Sequence, residues 1–171
     1  KVKMGSVAIW NLYNMGYIVK TPSVCFGIDL NHKYAVKFAP FIDFLCVTHK
    51  HDDHVDSLLN RAMYQAGKAV VSNFFQPQAM YPWLVKGVQD LEIKGIRIRT
   101  NLNDHNSKLR DFVVTYQYDC GKDTRHIVLM HVGDSSFNPR QYDVKEDVDV
   151  LIPRYAPTID RKIIGPVIQA K

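Results

Sequence analysis

Four side chains that commonly bind metal ions lie within six residues, directly after an apolar run. The apolar run covers 44–48 and predicts a buried strand, and the residues beyond the cluster predict a helix. A ligand cluster between a strand and a helix is typical of a metal site that a rigid scaffold presents on a loop. Imidazole and carboxylate donors suit zinc, and they also suit iron or manganese. The four side chains are His49, His51, Asp53 and His54.

The spacing of these residues divides them between two ions. His49 and His51 are two residues apart, so on an extended backbone their side chains leave the same face and can bind one ion together. Asp53 and His54 lie where the chain turns into the helix, and they suit a second ion nearby. Lys50 should point away from this face, and we expect no chemistry from it. The alternative interpretation is a polar loop in which Asp53 or its neighbour caps the helix.

Further ligands must come from other parts of the chain. The stretch 101–108 is polar, predicts a loop and carries His105, which is the best candidate to complete the first ion's shell. Asp134 follows a predicted strand in a Gly-Asp-Ser turn, and it is the best candidate to bridge both ions. His131 falls inside that strand, so we expect it to be a strand residue with a hydrogen-bond partner and not a ligand.

Hydrophobic periodicity predicts a mixed sheet system that is covered by helices. The helical segments are a short helix or irregular link at 33–40, an amphipathic helix at 55–66 that ends at Gly67, and helices at 76–84 and 159–170. Predicted strands cover 7–13, 17–20, 24–29, 44–48, 68–72, 91–93, 96–99, 112–118, 127–132 and 148–152.

Composition indicates a single globular domain over residues 1–171, with 46% apolar and 23% charged residues. The net charge of +5 is dispersed, so it permits an anionic small molecule or phosphodiester substrate without indicating nucleic acid. No apolar run reaches the roughly 20 residues that cross a bilayer, so we expect no membrane partner. The cysteines show no CxxC spacing and predict a reducing compartment and a cytoplasmic location; they are Cys25, Cys46 and Cys120.

From about residue 7 to residue 152, the chain resembles the metallo-β-lactamase-fold hydrolases. The features it shares with them are the HxHxDH motif before a helix, a later lone histidine in a polar stretch, and a strand ending in Gly-Asp-Ser. Within that family it is most similar to the ascorbate-lactonase-like and tRNA 3′-processing-nuclease-like branches. The resemblance implies an α+β fold, a four-layer αββα sandwich, and Asp29 as a support behind the ligands. It also implies a first metal held by His49, His51 and His105, and a second held by Asp53, His54 and bridging Asp134.

One departure from the family pattern concerns the second metal. The family usually supplies one more histidine to it from a late loop, and no histidine follows His131 in this sequence. The chain also begins with lysine and not methionine. We therefore expect that the sequence is truncated at its C-terminus and that this part of the sandwich is incomplete.

These features predict a metal-dependent hydrolase that uses a metal-activated water on a phosphodiester, a lactone or another ester. Asp53 would orient the water or take its proton, and Asp29 and Asp43 are candidates to support the histidines. Arg154 and Tyr155 follow the last predicted strand and could reach an anionic substrate. Two alternatives stay open. One is a nuclease, and the other is a non-catalytic metal-binding or scaffold protein that has lost a ligand.

Overall fold

The computed structural model describes residues 1–74, 83–106, 109–136, 141–144 and 146–154, and these residues form two five-stranded sheets. In spatial order the first sheet contains β1 (Ala8–Tyr13), β2 (Gly16–Lys20), β3 (Cys25–Ile28), β4 (Phe44–Cys46) and β5 (Ala69–Val71). Strands β1 to β3 are antiparallel, and β3 to β5 are parallel.

In spatial order the strands of the second sheet are β10 (Val150–Ile152), β9 (Val128–His131), β8 (Leu109–Asp119), β7 (Ile96–Asn106) and β6 (Gln89–Ile93). This sheet is antiparallel except for the edge strand β10, which runs parallel to β9. The β6–β7 hairpin turns at Lys94 and Gly95, which both have positive φ (55° and 79°), as a tight two-residue turn requires.

The two sheets pack face to face around an aromatic and aliphatic core. Phe26 and Phe44 stack on neighbouring strands with their ring centres 4.7 Å apart, and Tyr118 of the second sheet lies 4.9 Å from Phe26. On the outer face of the first sheet lies α1 (Ser57–Gln65), which buries Leu59 and Met63 against it. The α+β sandwich is therefore confirmed. The predicted helix at 159–170 lies outside the described residues.

Local signals in the sequence placed α1 correctly. Asp56 caps it, and the Asp56 carboxylate accepts a hydrogen bond from the Leu59 amide at 2.7 Å. Gly67 follows the helix with φ +65°, the left-handed conformation that favours glycine at this position. The 33–40 segment contains a short 3₁₀ helix, Ala35–Phe38. Most of the predicted helix at 76–84 lies outside the described residues, and Leu84, which is described, forms a β-bridge with Ser72.

The prediction of a loop at 101–108 was wrong for 101–106, because β7 continues to Asn106, and residues 107 and 108 lie outside the described residues. This half of β7 carries polar side chains, some of them buried. Asn103 is fully buried, and its side-chain amide donates a hydrogen bond to the Thr115 hydroxyl of β8 at 2.8 Å. A strand with polar side chains at its buried positions has no apolar alternation for a sequence pattern to detect.

Two predictions about the chain as a whole can be compared with this structure. Cys46 and Cys120 are buried and Cys25 is half-buried, and all three are free thiols. Among the described residues, no helix is both long enough and apolar enough to cross a membrane.

Candidate metal centre

Five of the six predicted ligands come together where β4, β7 and β9 end. His49, His51 and His105 each place one ring nitrogen within 4.8 Å of the others, and we call these residues the first group. His49, His54 and Asp134 satisfy the same limit, and we call them the second group. His49 belongs to both groups, so any ions they bind would be close neighbours.

Asp53, the sixth predicted ligand, lies beside the second group and is not part of it. Its Oδ2 is 3.6 Å from His54 Nε2 and accepts a hydrogen bond from the Asn14 side chain at 3.3 Å. The Asp53 side chain is 58% exposed. It therefore combines a position at the centre with access to solvent.

Asp134, the predicted bridging residue, belongs to the second group and also lies beside His105 of the first group. Its Oδ2 lies 3.6 Å from His105 Nε2 and 3.8 Å from His54 Nε2. The preceding Gly133 makes this placement possible: its φ is +52°, and a Cβ there would lie 2.9 Å from the Thr48 Cβ. Only a residue without a side chain lets the chain turn so close to Thr48.

A buried network around Asp29 holds the histidine loop in place. The Asp29 carboxylate accepts hydrogen bonds from the Thr48 amide (2.7 Å), the Thr48 hydroxyl (2.7 Å) and His54 Nδ1 (2.8 Å). The backbone of Asp29 itself has φ +45°, which is uncommon for a residue with a side chain. The support role that the family resemblance implied for Asp29 agrees with these contacts. Sequence reasoning missed Thr48, although it directly precedes the ligand cluster.

The same network determines which histidine nitrogens face the centre. The single hydroxyl proton of Thr48 goes to Asp29, so the Thr48 oxygen must accept the hydrogen bond from His49 Nδ1, which is 3.0 Å away. His54 likewise uses Nδ1 to donate to Asp29. Both rings are therefore left with Nε2 directed at the centre, and His54 Nε2 is buried with no hydrogen bond to the described residues. These buried nitrogen donors, with the Asp134 carboxylate beside them, fit a divalent metal ion.

Charge in the metal-free centre is concentrated on His54 and Asp134. Burial lowers the pKa of His54, but the Asp134 and Asp29 carboxylates outweigh it and raise that pKa to about 10. Burial raises the pKa of Asp134, but the neighbouring His54 outweighs it and lowers that pKa to about 2. Burial lowers the pKa of His49 to about 3, so this ring is neutral at physiological pH. A neutral imidazole is the form that binds metal.

Three expectations about neighbouring residues need correction or comment. Asp43 is not a support for the histidines: its carboxylate accepts the Cys25 amide at 2.8 Å and lies 3.9 Å from Lys94. Lys50, from which we expected no chemistry, is exposed, and its ammonium lies 3.4 Å from the Asp111 carboxylate. His131 is the buried strand residue that we expected, and its Nδ1 accepts the Gly133 amide at 3.2 Å.

Arg154 lies against the centre on the Asp134 side. Its Nε is 3.9 Å from Asp134 Oδ1, and its Nη1 donates a hydrogen bond to the His105 carbonyl at 3.5 Å. The side chain is 26% exposed, so it is accessible from solvent. Tyr155, which was predicted to act beside it, lies outside the described residues.

Residues 13–168 match the β-lactamase superfamily domain. The solved structures that resemble this chain include the metallo-β-lactamase fold protein YhfI from Bacillus subtilis (14% identity, TM-score 0.58) and a protein assigned as a metal-dependent hydrolase from Parabacteroides distasonis (16%, 0.66). In both cases the alignment covers 85% of this chain and 68% of the other chain. CmlA, a diiron β-hydroxylase from Streptomyces venezuelae, aligns over 73% of this chain and 29% of its own (11%, 0.54). No curated protein gives a significant match.

Proposed function

The chain belongs to the β-lactamase superfamily domain family, and from this premise we propose that it is a metal-dependent hydrolase that uses a metal-activated water. The observation that carries the proposal is the convergence of the first and second groups on the shared His49. We propose that the first group holds one ion, and that His54, Asp134 and Asp53 hold the second. Zinc suits this donor set best, and iron or manganese would also fit it.

The residues of the centre have distinct parts in such a reaction. Ions bound there would lower the pKa of a coordinated water towards neutrality and polarise the carbonyl or phosphoryl oxygen of a substrate. The exposed Asp53 carboxylate, 3.6 Å from His54 Nε2, is placed to orient the attacking water and accept its proton. Asn14 holds that carboxylate from the β1–β2 turn.

The position of Arg154 favours a substrate, or a transition state, that carries a negative charge. Its guanidinium is a planar cationic hydrogen-bond donor that is partly exposed beside Asp134. A phosphodiester carries a negative charge before the reaction, whereas an ester or lactone develops one as it is attacked. The position of Arg154 serves either case. We therefore propose both substrate classes, a phosphodiester and a lactone or other ester.

Hydrolysis assays on matched histidine variants test this function. The zinc-loaded or manganese-loaded chain should hydrolyse a chromogenic phosphodiester or a chromogenic ester, and a chelator should abolish the activity. His51→Ala should lower the rate by about 100-fold or more, because it removes a ligand of the first group. His126→Ala is the control, since His126 is an exposed histidine that pairs with Asp119 beyond the far end of β8. Equal activity in the two variants would refute the proposal.

Metal content separates an enzyme from a scaffold protein that keeps the fold. We propose two ions per chain after metal loading and removal of excess metal. A well-folded chain that retains none would instead favour a non-catalytic role. The nuclease alternative is tested by single-stranded oligonucleotides in the same hydrolysis assay, with binding measured at several salt concentrations.

A further inference from the structure

His51 differs from the other histidines of the loop in how its ring is held. His49 and His54 direct Nδ1 at Thr48 and Asp29, and both point Nε2 at the centre. His51 has the opposite arrangement. Its Nδ1 lies 3.0 Å from His49 Nε2, so Nδ1 is the nitrogen that faces the centre, and its Nε2 points away.

The group that His51 Nε2 meets is the carboxylate of Asp111, near the start of β8. Asp111 Oδ2 lies 3.5 Å from His51 Nε2, and Asp111 Oδ1 lies 3.4 Å from the Lys50 ammonium. The two oxygens of one carboxylate therefore serve two neighbouring residues of the ligand loop. Asp111 is about one-third exposed, so it lies at the rim of the centre and not in the core.

The chemistry of the two contacts fixes the tautomer of His51. A carboxylate can only accept a hydrogen bond, so the proton of a neutral His51 is drawn to Nε2. The lone pair is then on Nδ1. His49 Nε2, which also carries a lone pair because His49 Nδ1 donates to Thr48, lies 3.0 Å away. Two lone pairs at that distance are compatible when both are directed at a cation.

We propose that Asp111 is a positioning residue that holds His51 in the tautomer and orientation that bind the first ion. Lys50 contacts only the other oxygen of Asp111, so the contact between Asp111 and His51 does not depend on it. This inference rests on the proposed metal centre, and it adds a residue on a different sheet whose role is to orient a ligand. The link also ties the ligand loop to β8, which is adjacent to the strand that carries His105.

Lys50 provides a matched control for testing Asp111. Asp111→Ala and Lys50→Ala both remove the ion pair between these two residues, so any effect of that pair on folding is common to both variants. Only Asp111→Ala removes the contact with His51. Both side chains are at least one-third exposed, so we expect both variants to fold.

The experiment measures zinc affinity by competition with a chromophoric chelator, and the visible spectrum of the cobalt(II)-loaded chain. Asp111→Ala should weaken zinc binding by about 10–100-fold and change the cobalt bands, because supports of this kind have effects of that size on metal affinity. Lys50→Ala should stay within about threefold of the wild type, because an exposed ion pair contributes little.

Either of two results would overturn the inference: wild-type affinity in Asp111→Ala, or an equal loss in both variants. A wild-type chain that binds no zinc would overturn it as well. Because binding is measured without turnover, the inference fails separately from the proposed function. Zinc binding that depends on Asp111 without any hydrolysis would refute only the hydrolase, and hydrolysis with unchanged affinity in Asp111→Ala would refute only the role of Asp111.

Discussion

Replacing Asp29 with asparagine removes the charge at the centre of the network behind the ligand loop. The wild-type carboxylate accepts three hydrogen bonds, two from Thr48 and one from His54. An asparagine has one oxygen and one amide group, so at least one of those donors would face another donor. Since the site is fully buried, water cannot replace the lost partner.

The magnitude follows from the number of bonds that are lost. A hydrogen bond to a charged group contributes about 1.5–3 kcal/mol, so Asp29→Asn should lower the free energy of unfolding by about 2–4 kcal/mol. Turning the asparagine to satisfy the Thr48 amide would place its NH₂ against His54 Nδ1 and favour the tautomer with the proton on Nε2. We therefore also expect affinity for the second ion to fall by about 10–100-fold.

The assay combines urea unfolding with zinc competition, and Asp43→Asn is the matched control. Asp43 accepts one backbone amide, lies outside the centre and is the other aspartate that the sequence offered for the same role. Asp43→Asn should therefore leave zinc affinity at the wild-type value. If the Asp29 variant folds and binds zinc as tightly as the Asp43 variant, the support argument is wrong.

Three further predictions concern the surroundings of the centre. Gly133→Ala should lower the free energy of unfolding, measured in urea, by about 2–4 kcal/mol, because the site combines a positive φ with a steric clash. Gly67 has a similar φ but open space around it, so Gly67→Ala should lower the free energy of unfolding by only about 1 kcal/mol. Equal losses in the two variants would contradict the packing argument. Tyr116→Phe should cost about 1–2 kcal/mol in the same assay, because the single proton of the buried hydroxyl is shared between the main-chain carbonyls of Val47 and Val71; an unchanged unfolding midpoint would contradict this. In the metal-free chain, the pKa of His54 is raised from 6.5 to about 10. The stabilisation that goes with this shift is complete below about pH 6.5 and is lost as the pH rises towards 10. The urea midpoint should therefore fall between about pH 7 and pH 9.5, and His54→Ala should flatten that change.

The sequence allowed prediction of those parts of the fold that rest on local patterns. The central strand β4 is buried on both faces, so it appears as a continuous apolar run, and α1 has a cap at Asp56 and a glycine after its end. The ligand cluster follows directly from these two elements. Asp134 could be located because it lies in a Gly-Asp-Ser turn after a buried strand.

Local patterns of this kind could not predict contacts between distant parts of the chain. Asp29 and Asp43 looked equally suited to support the histidines, and only the β3–β4 register places Asp29 beside Thr48. Asp111 is 60 positions from His51 in the chain, in a strand whose pattern does not distinguish it. His105 was expected in a loop because this half of β7 pairs with β8 but carries polar side chains that leave no apolar alternation.

The most direct test of the central claim is a crystal of the zinc-loaded chain, with diffraction measured on both sides of the zinc absorption edge. The account predicts an anomalous difference peak about 2.0–2.1 Å from the ring nitrogens of His49, His51 and His105, with the His51 bond formed by Nδ1. A well-ordered centre in which those three rings surround no such peak would contradict it.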